Sequence, residues 1–136
     1  MLNSGEMEEV AAKCELKRQG ARPTAPPDER YDVWRIAQVG TAVVELVRLK
    51  YSAAYERHLH KNSDSTIQIL KGEGHIIFGE GDFVRYRAGN IFDIPKGLAH
   101  GFFTIDETYF VSVNNPAIAK GDDVDIVFLE NRPRTG

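Results

Sequence analysis

The pattern of apolar and polar positions changes character once along the chain. Over residues 3–20, Met7, Val10, Ala11 and Cys14 recur at the i, i+3, i+4, i+7 spacing of one helical face. Asn3 suits the N-cap. Glu6, Glu8 and Glu9 occupy the early turns and Lys13, Lys17 and Arg18 the late ones, before Gly20 as a stop. This spacing predicts a short helix covering an open edge of the body, with Cys14 as a small buried hydrophobe. Pro23, Pro26 and Pro27 then exclude helix and central strand from a linker. From Tyr31 to Leu129 the chain becomes a series of β-branched and aromatic runs broken by turn residues. Strands are predicted near 31–39, 41–50, 55–60, 66–71, 74–78, 82–87, 91–94, 99–104, 108–114 and 124–129. Seven of the twelve glycines lie between Gly72 and Gly101, which predicts many tight turns, including a hairpin at Gly79-Glu80-Gly81. Strands at regular intervals with no helices between them predict an all-β fold, a single antiparallel β-barrel or sandwich. The chain therefore divides into a helix and Pro-rich linker over 1–30 and one β-domain over 31–136.

Composition narrows the class. A chain of 136 residues is one domain's worth and folds without needing a disulfide or metal as a staple. Its 42% hydrophobic and 27% charged content excludes disordered and fibrous classes. A net charge of -3 offers no overall attraction to nucleic acid or anionic membrane. One cysteine permits no internal disulfide, which fits a reducing compartment. The N-terminal MLNSGEMEEV is acidic and lacks the apolar stretch of a secretory signal. The expectation is a cytoplasmic protein with a small-molecule ligand and no nucleic-acid or membrane partner. The strand Thr41–Val47 is apolar on both faces except for Glu45, which predicts a covering surface and a homodimer.

The candidate chemistry rests on four histidines, His58, His60, His75 and His100. On a strand, alternate residues share a face, so the imidazoles of His58 and His60 project together and make half of a metal site. The competing account is a pair of exposed edge-strand histidines. In the segment from Gly89 to His100, Pro95 ends a short apolar strand and Gly97 permits a sharp reversal that returns His100 across the sheet. His75 opens a strand after Gly74 and reads as a surface residue. Asp122, Asp123 and Asp125 lack the spacing of a calcium loop and read as a solvated turn.

These two segments resemble the motifs of the cupin superfamily. The second cupin motif, G-x5-P-x-G-x2-H-x3-N, is matched by Gly89, Pro95, Gly97 and His100, with Thr104 in place of the asparagine. The first, G-x5-H-x-H-x3-4-E-x6-G, is matched by His58, His60 and Gly72, with Ser52 replacing the first glycine and Ser65 the glutamate. The resemblance spans roughly residues 31–129 and implies a small jelly-roll β-barrel with a metal inside it. It implies His58, His60 and His100 as ligands of one divalent ion per chain, iron first and zinc, nickel, manganese or copper as alternatives. The carboxylate is lost at Ser65, and strand alternation turns neighbouring Asp64 to the opposite face unless a bulge intervenes.

An ion with three imidazole ligands keeps its full positive charge and three open octahedral positions. That suits a bidentate anionic substrate plus dioxygen, as in three-histidine cupin dioxygenases, so the reading is a metal-dependent, oxygenase-like enzyme acting on a small anionic or chelating metabolite. Isomerase and lyase chemistry also occur on this fold. The alternative is a non-catalytic cupin that binds a sugar or acidic metabolite, or a hydrogen-bonded histidine cluster without metal. Ser65, Tyr55 and Phe102 are candidate pocket residues. Arg57 and Tyr51 lead into the His-x-His strand, and Trp34 reads as core or dimer interface.

Overall fold

The computed structural model describes residues 31–50, 54–120 and 123–129. The expected helix at 3–20, Cys14, the Pro-rich linker and Tyr51 lie outside the described residues. Twelve strands follow in order: β1 (Tyr31–Val39), β2 (Ala42–Leu49), β3 (Ala54–Leu59), β4 (Asp64–Lys71), β5 (Gly74–Phe78), β6 (Asp82–Tyr86), β7 (Ile91–Ile94), β8 (His100–Thr104), β9 (Thr108–Asn115), β10 (Ala119–Lys120), β11 (Asp123–Val124) and β12 (Val127–Phe128). The last predicted strand, 124–129, is thus two short pieces. Among the described residues no helix is long and apolar enough to cross a membrane.

The strands form two five-stranded antiparallel sheets, ordered β1-β2-β9-β4-β7 and β12-β3-β8-β5-β6, plus a small β10-β11 hairpin. The expected barrel is therefore a jelly roll of two facing sheets. The alternation that produces it is cleanest in β4, where Ser65, Ile67 and Ile69 are buried and Asp64, Thr66 and Gln68 exposed. A one-residue slip would exchange the two sets, so burial holds the register.

Between the sheets one end is apolar. Leu49, Ile67, Ile69, Ile76, Tyr86, Ile94, Phe102 and Phe110 form the main core. Phe102 stacks on Phe110 with ring centroids 5.3 Å apart, and the Tyr86 hydroxyl bonds the Thr108 hydroxyl at 2.6 Å across the same end. A second cluster lies on the outer face of the first sheet, where Trp34 pairs with Leu46 against Ile36, Leu70 and Tyr109. Both faces of β2 are therefore packed within the chain, and its apolar pattern is accounted for without a second copy.

Gly74 shows how tightly the apolar end is closed. A Cβ there would strike the Phe103 carbonyl oxygen and lie 2.5 Å from the Tyr86 hydroxyl. Gly74→Ala is expected to lower stability by about 1–3 kcal/mol, as overpacking of a filled interior does. Urea denaturation checks this, and an unchanged midpoint would contradict the packing described.

Candidate metal centre

The other end of the interior is polar. His58 near the end of β3 pairs directly with His100 at the start of β8, and His60 follows just beyond β3. A β-bulge between Tyr55 and His58 shifts the β3-β8 register by one residue. Downstream of the bulge, His58 is carried opposite the inward-facing His100. Gly97, at φ +83°, makes the turn before β8, and its N–H bonds the His60 carbonyl at 2.7 Å. The two motifs are thus joined at the main chain.

The three imidazoles converge. Ring centroids lie 4.3 Å apart for His58 and His100, 5.0 Å for His60 and His100, and 5.1 Å for His58 and His60. One ligand nitrogen from each falls within 4.8 Å of the others. His60 and His100 are buried and His58 nearly so. Each Nδ1 meets a main-chain carbonyl: Glu56 for His58 at 3.0 Å, Asp125 for His60 at 2.6 Å and Leu98 for His100 at 3.0 Å. A carbonyl oxygen can only accept, so each Nδ1 carries the hydrogen and each Nε2 keeps its lone pair.

Protonation points the same way. Burial pushes His58 down to about 4 and His100 down to about 3, helped for His100 by its neighbour His58. Burial also lowers His60 against the opposing pull of the Asp125 carbonyl. Neutral imidazoles with fixed tautomers and free Nε2 atoms are the donor set a divalent transition metal takes. The residues present therefore fit such an ion.

Asp125 was expected in a solvated turn and instead anchors the site. Its carboxylate accepts the N–H groups of Lys61, Asn62 and Ser63 at 2.8, 2.9 and 3.0 Å. Burial works to raise its pKa, and these donors outweigh it and leave the group lowered. Its own carbonyl orients His60. No local motif in the sequence marks this residue, because its partners lie about sixty positions upstream.

The other candidates separate cleanly. Asp64 is exposed, and its Oδ1 accepts the Lys96 N–H at 2.9 Å. Ser65 is buried, and its hydroxyl donates to Asn114 Oδ1 at 2.6 Å. Phe102 faces the interior and Phe103 is exposed. Tyr55 pairs with Phe102 in the ladder, while its side chain lies outside the described residues. Arg57 donates to the Gly79 carbonyl at 2.5 Å. His75 lies away from the three-histidine cluster, with its ring 6.2 Å from that of exposed Phe83.

The sequence reading missed a buried polar group on the first sheet. Asn114 Nδ2 donates to Glu45 Oε1 at 3.0 Å, and the Ser112 hydroxyl joins Ser65 in donating to Asn114 Oδ1 at 2.8 Å. The signal available was Glu45 itself, a lone charge in the run TAVVELV.

The double sheet with a histidine cluster between its layers defines a cupin fold, and the solved structures agree. The chain is similar to ectoine synthase from P. lautus, at 15% identity and TM-score 0.68 over 90% of this chain and 91% of that one. It is similar to KdgF from Halomonas sp., at 17% identity and TM-score 0.62 over 68% and 85%. An RmlC-like cupin from Shewanella frigidimarina matches at 16% identity and TM-score 0.61 over 68% and 81%. No family profile matches the sequence, and no curated protein matches it.

Two outcomes follow. An unfolded chain protonates these histidines as pH falls through about 6.5, while the folded chain holds His58 and His100 neutral down to about 4 and about 3. The unfolded state then binds more protons, so the contribution is complete above pH ~6.5 and stability declines as pH falls from there towards about 4. Urea midpoints of metal-free protein over this range should drop, and His100→Leu should flatten the slope. Separately, Asp125→Ala keeps the carbonyl that His60 meets but removes the carboxylate that ties residues 61–63 to it, and should weaken divalent metal binding by about ten-fold. Competition against a chelator of known affinity measures it.

Proposed function

We propose that this chain is a metal-dependent, oxygenase-like enzyme that uses His58, His60 and His100 to hold one divalent ion and acts on a small anionic or chelating metabolite. The observation that carries the reading is the set of three neutral imidazoles whose Nδ1 atoms are occupied by carbonyls. Such a set leaves Nε2 as the one ligating atom of each ring. When bound, the ion would supply Lewis acidity and open coordination positions, and iron would add redox capacity.

The chain's own residues do the rest. The carbonyls of Glu56, Leu98 and Asp125 hold the rings in place. Phe102, Phe110 and Ile76 close the inner end against water. With serine at position 65, no carboxylate from β4 offsets the charge of the ion, so an anion is attracted to it. Ectoine synthase among the similar structures is named as an enzyme, which supports catalysis on this scaffold and keeps lyase or isomerase chemistry within the reading. The single cysteine, which permits no internal disulfide, supports a cytoplasmic setting. A homodimer would use the exposed apolar side chains Phe83, Phe103 and Ile105 rather than β2.

Elemental analysis of the purified protein should give one divalent ion per chain. After anaerobic iron loading, oxygen uptake should appear with a small chelating acid from a substrate screen. His100→Ala should abolish stoichiometric binding and His75→Ala should preserve it. Equal losses from both would refute the assignment.

A further inference from the structure

The first sheet carries a buried polar group built on Glu45 and Asn114. In the first sheet the register aligns Glu45 with Ser112, Ser112 with Ile67 and Ile67 with Phe92. In the second it aligns His58 with His100 and His100 with Phe78. Phe78 and Phe92 meet at one end of these rows, with ring centroids 6.0 Å apart. The adjacent row is tied by the Phe102–Phe110 stack. The rows therefore face one another, and Glu45 and Ser112 look across the interior at His58 and His100.

The hydroxyls of Ser65 and Ser112 both donate to Asn114 Oδ1, and Asn114 Nδ2 donates to Glu45 Oε1. Those hydroxyl donors are used within the group. Glu45 Oε2 is buried and accepts no hydrogen bond, and its ladder neighbour is Arg35, whose guanidinium forms an ion pair with it. The Arg35 Nε lies 4.0 Å from it, beyond hydrogen-bond reach, and the Glu45 side chain is only 9% exposed. The ion pair offsets the charge but leaves this buried oxygen without a hydrogen bond, which is costly to keep, and a ligand that brings a donor relieves that cost.

We infer that Glu45 is a ligand-recognition residue, and that the ligand is a small chelating acid carrying a hydroxyl or ammonium group at its far end. The acid end lies towards the three histidines and the donor towards Glu45 Oε2. This inference rests on the metal reading above and narrows its substrate class.

The test uses the full chain loaded with Co(II) and three probes, lactate, glycerate and isoserine. They share a 2-hydroxy acid and differ in having no further donor, a 3-hydroxyl or a 3-ammonium group. Titration of the cobalt visible spectrum should show glycerate and isoserine binding about ten-fold or more tighter than lactate. In Glu45→Gln the amide carbonyl keeps the Asn114 bond and the amide N–H₂ replaces Oε2, so the isoserine preference should vanish. Glu45→Met should lose both preferences, and both variants should still bind one Co(II) per chain. Wild type that binds Co(II) without preferring either donor-bearing probe, or without binding any of the three, overturns the inference alone. Variants that keep the preference do the same. Loss of Co(II) by Glu45→Gln would place Glu45 on the metal instead and also overturn it. Wild type that binds no Co(II) overturns the metal reading and this inference together.

Discussion

Three imidazoles packed within about 5 Å of one another in a protein interior tolerate each other only while uncharged. Much of the site's construction follows from that constraint. Burial keeps the rings neutral, and a neutral ring must still place its one N–H. The fold supplies a carbonyl for each, from the strand before His58, the turn before His100 and the segment before β12. With the hydrogens placed on Nδ1, the lone pairs are left on the atoms that converge.

The two ends of the interior divide the work. The apolar end supplies the burial that holds the register, through Phe102 on Phe110 and the Tyr86–Thr108 bond. The polar end supplies groups that would be costly to bury without partners, and the structure provides partners for most of them in chains. Asn114 gathers two serine hydroxyls and passes a hydrogen bond to Glu45. Asp125 gathers three main-chain N–H groups at the turn that joins the sheets. Each hub serves several donors at once, so the polar end is cross-linked as firmly as the apolar end is packed.

Much of this was legible from local spacing. Glycine and proline positions announced the turns, alternation announced the strands, and His-x-His with Gly97 and His100 announced the cluster. Strand alternation also placed Ser65 inward and Asp64 outward, as found. Other features depend on distant parts of the chain meeting. The bulge between Tyr55 and His58 has no signature in its own residues, yet it helps set which side chains past it face inward. Asp125 looked like one acid among three in a turn, because its partners are remote in sequence. Glu45 looked like an interruption in an apolar strand, and only the register shows that Arg35 and Ser112 flank it. Two facing sheets rather than a closed barrel likewise follow from pairing order, which local pattern does not encode.

The ring-orienting contacts are all made by main-chain oxygens. The side chains of Glu56 and Leu98 contribute nothing to the bonds that hold His58 and His100, and exchanging either for another ordinary residue removes no acceptor. The orientation of those two imidazoles is therefore written in backbone shape, and its alphabet tolerates many spellings. Over evolutionary time the neighbours of both histidines can drift in identity while the ring geometry stays put.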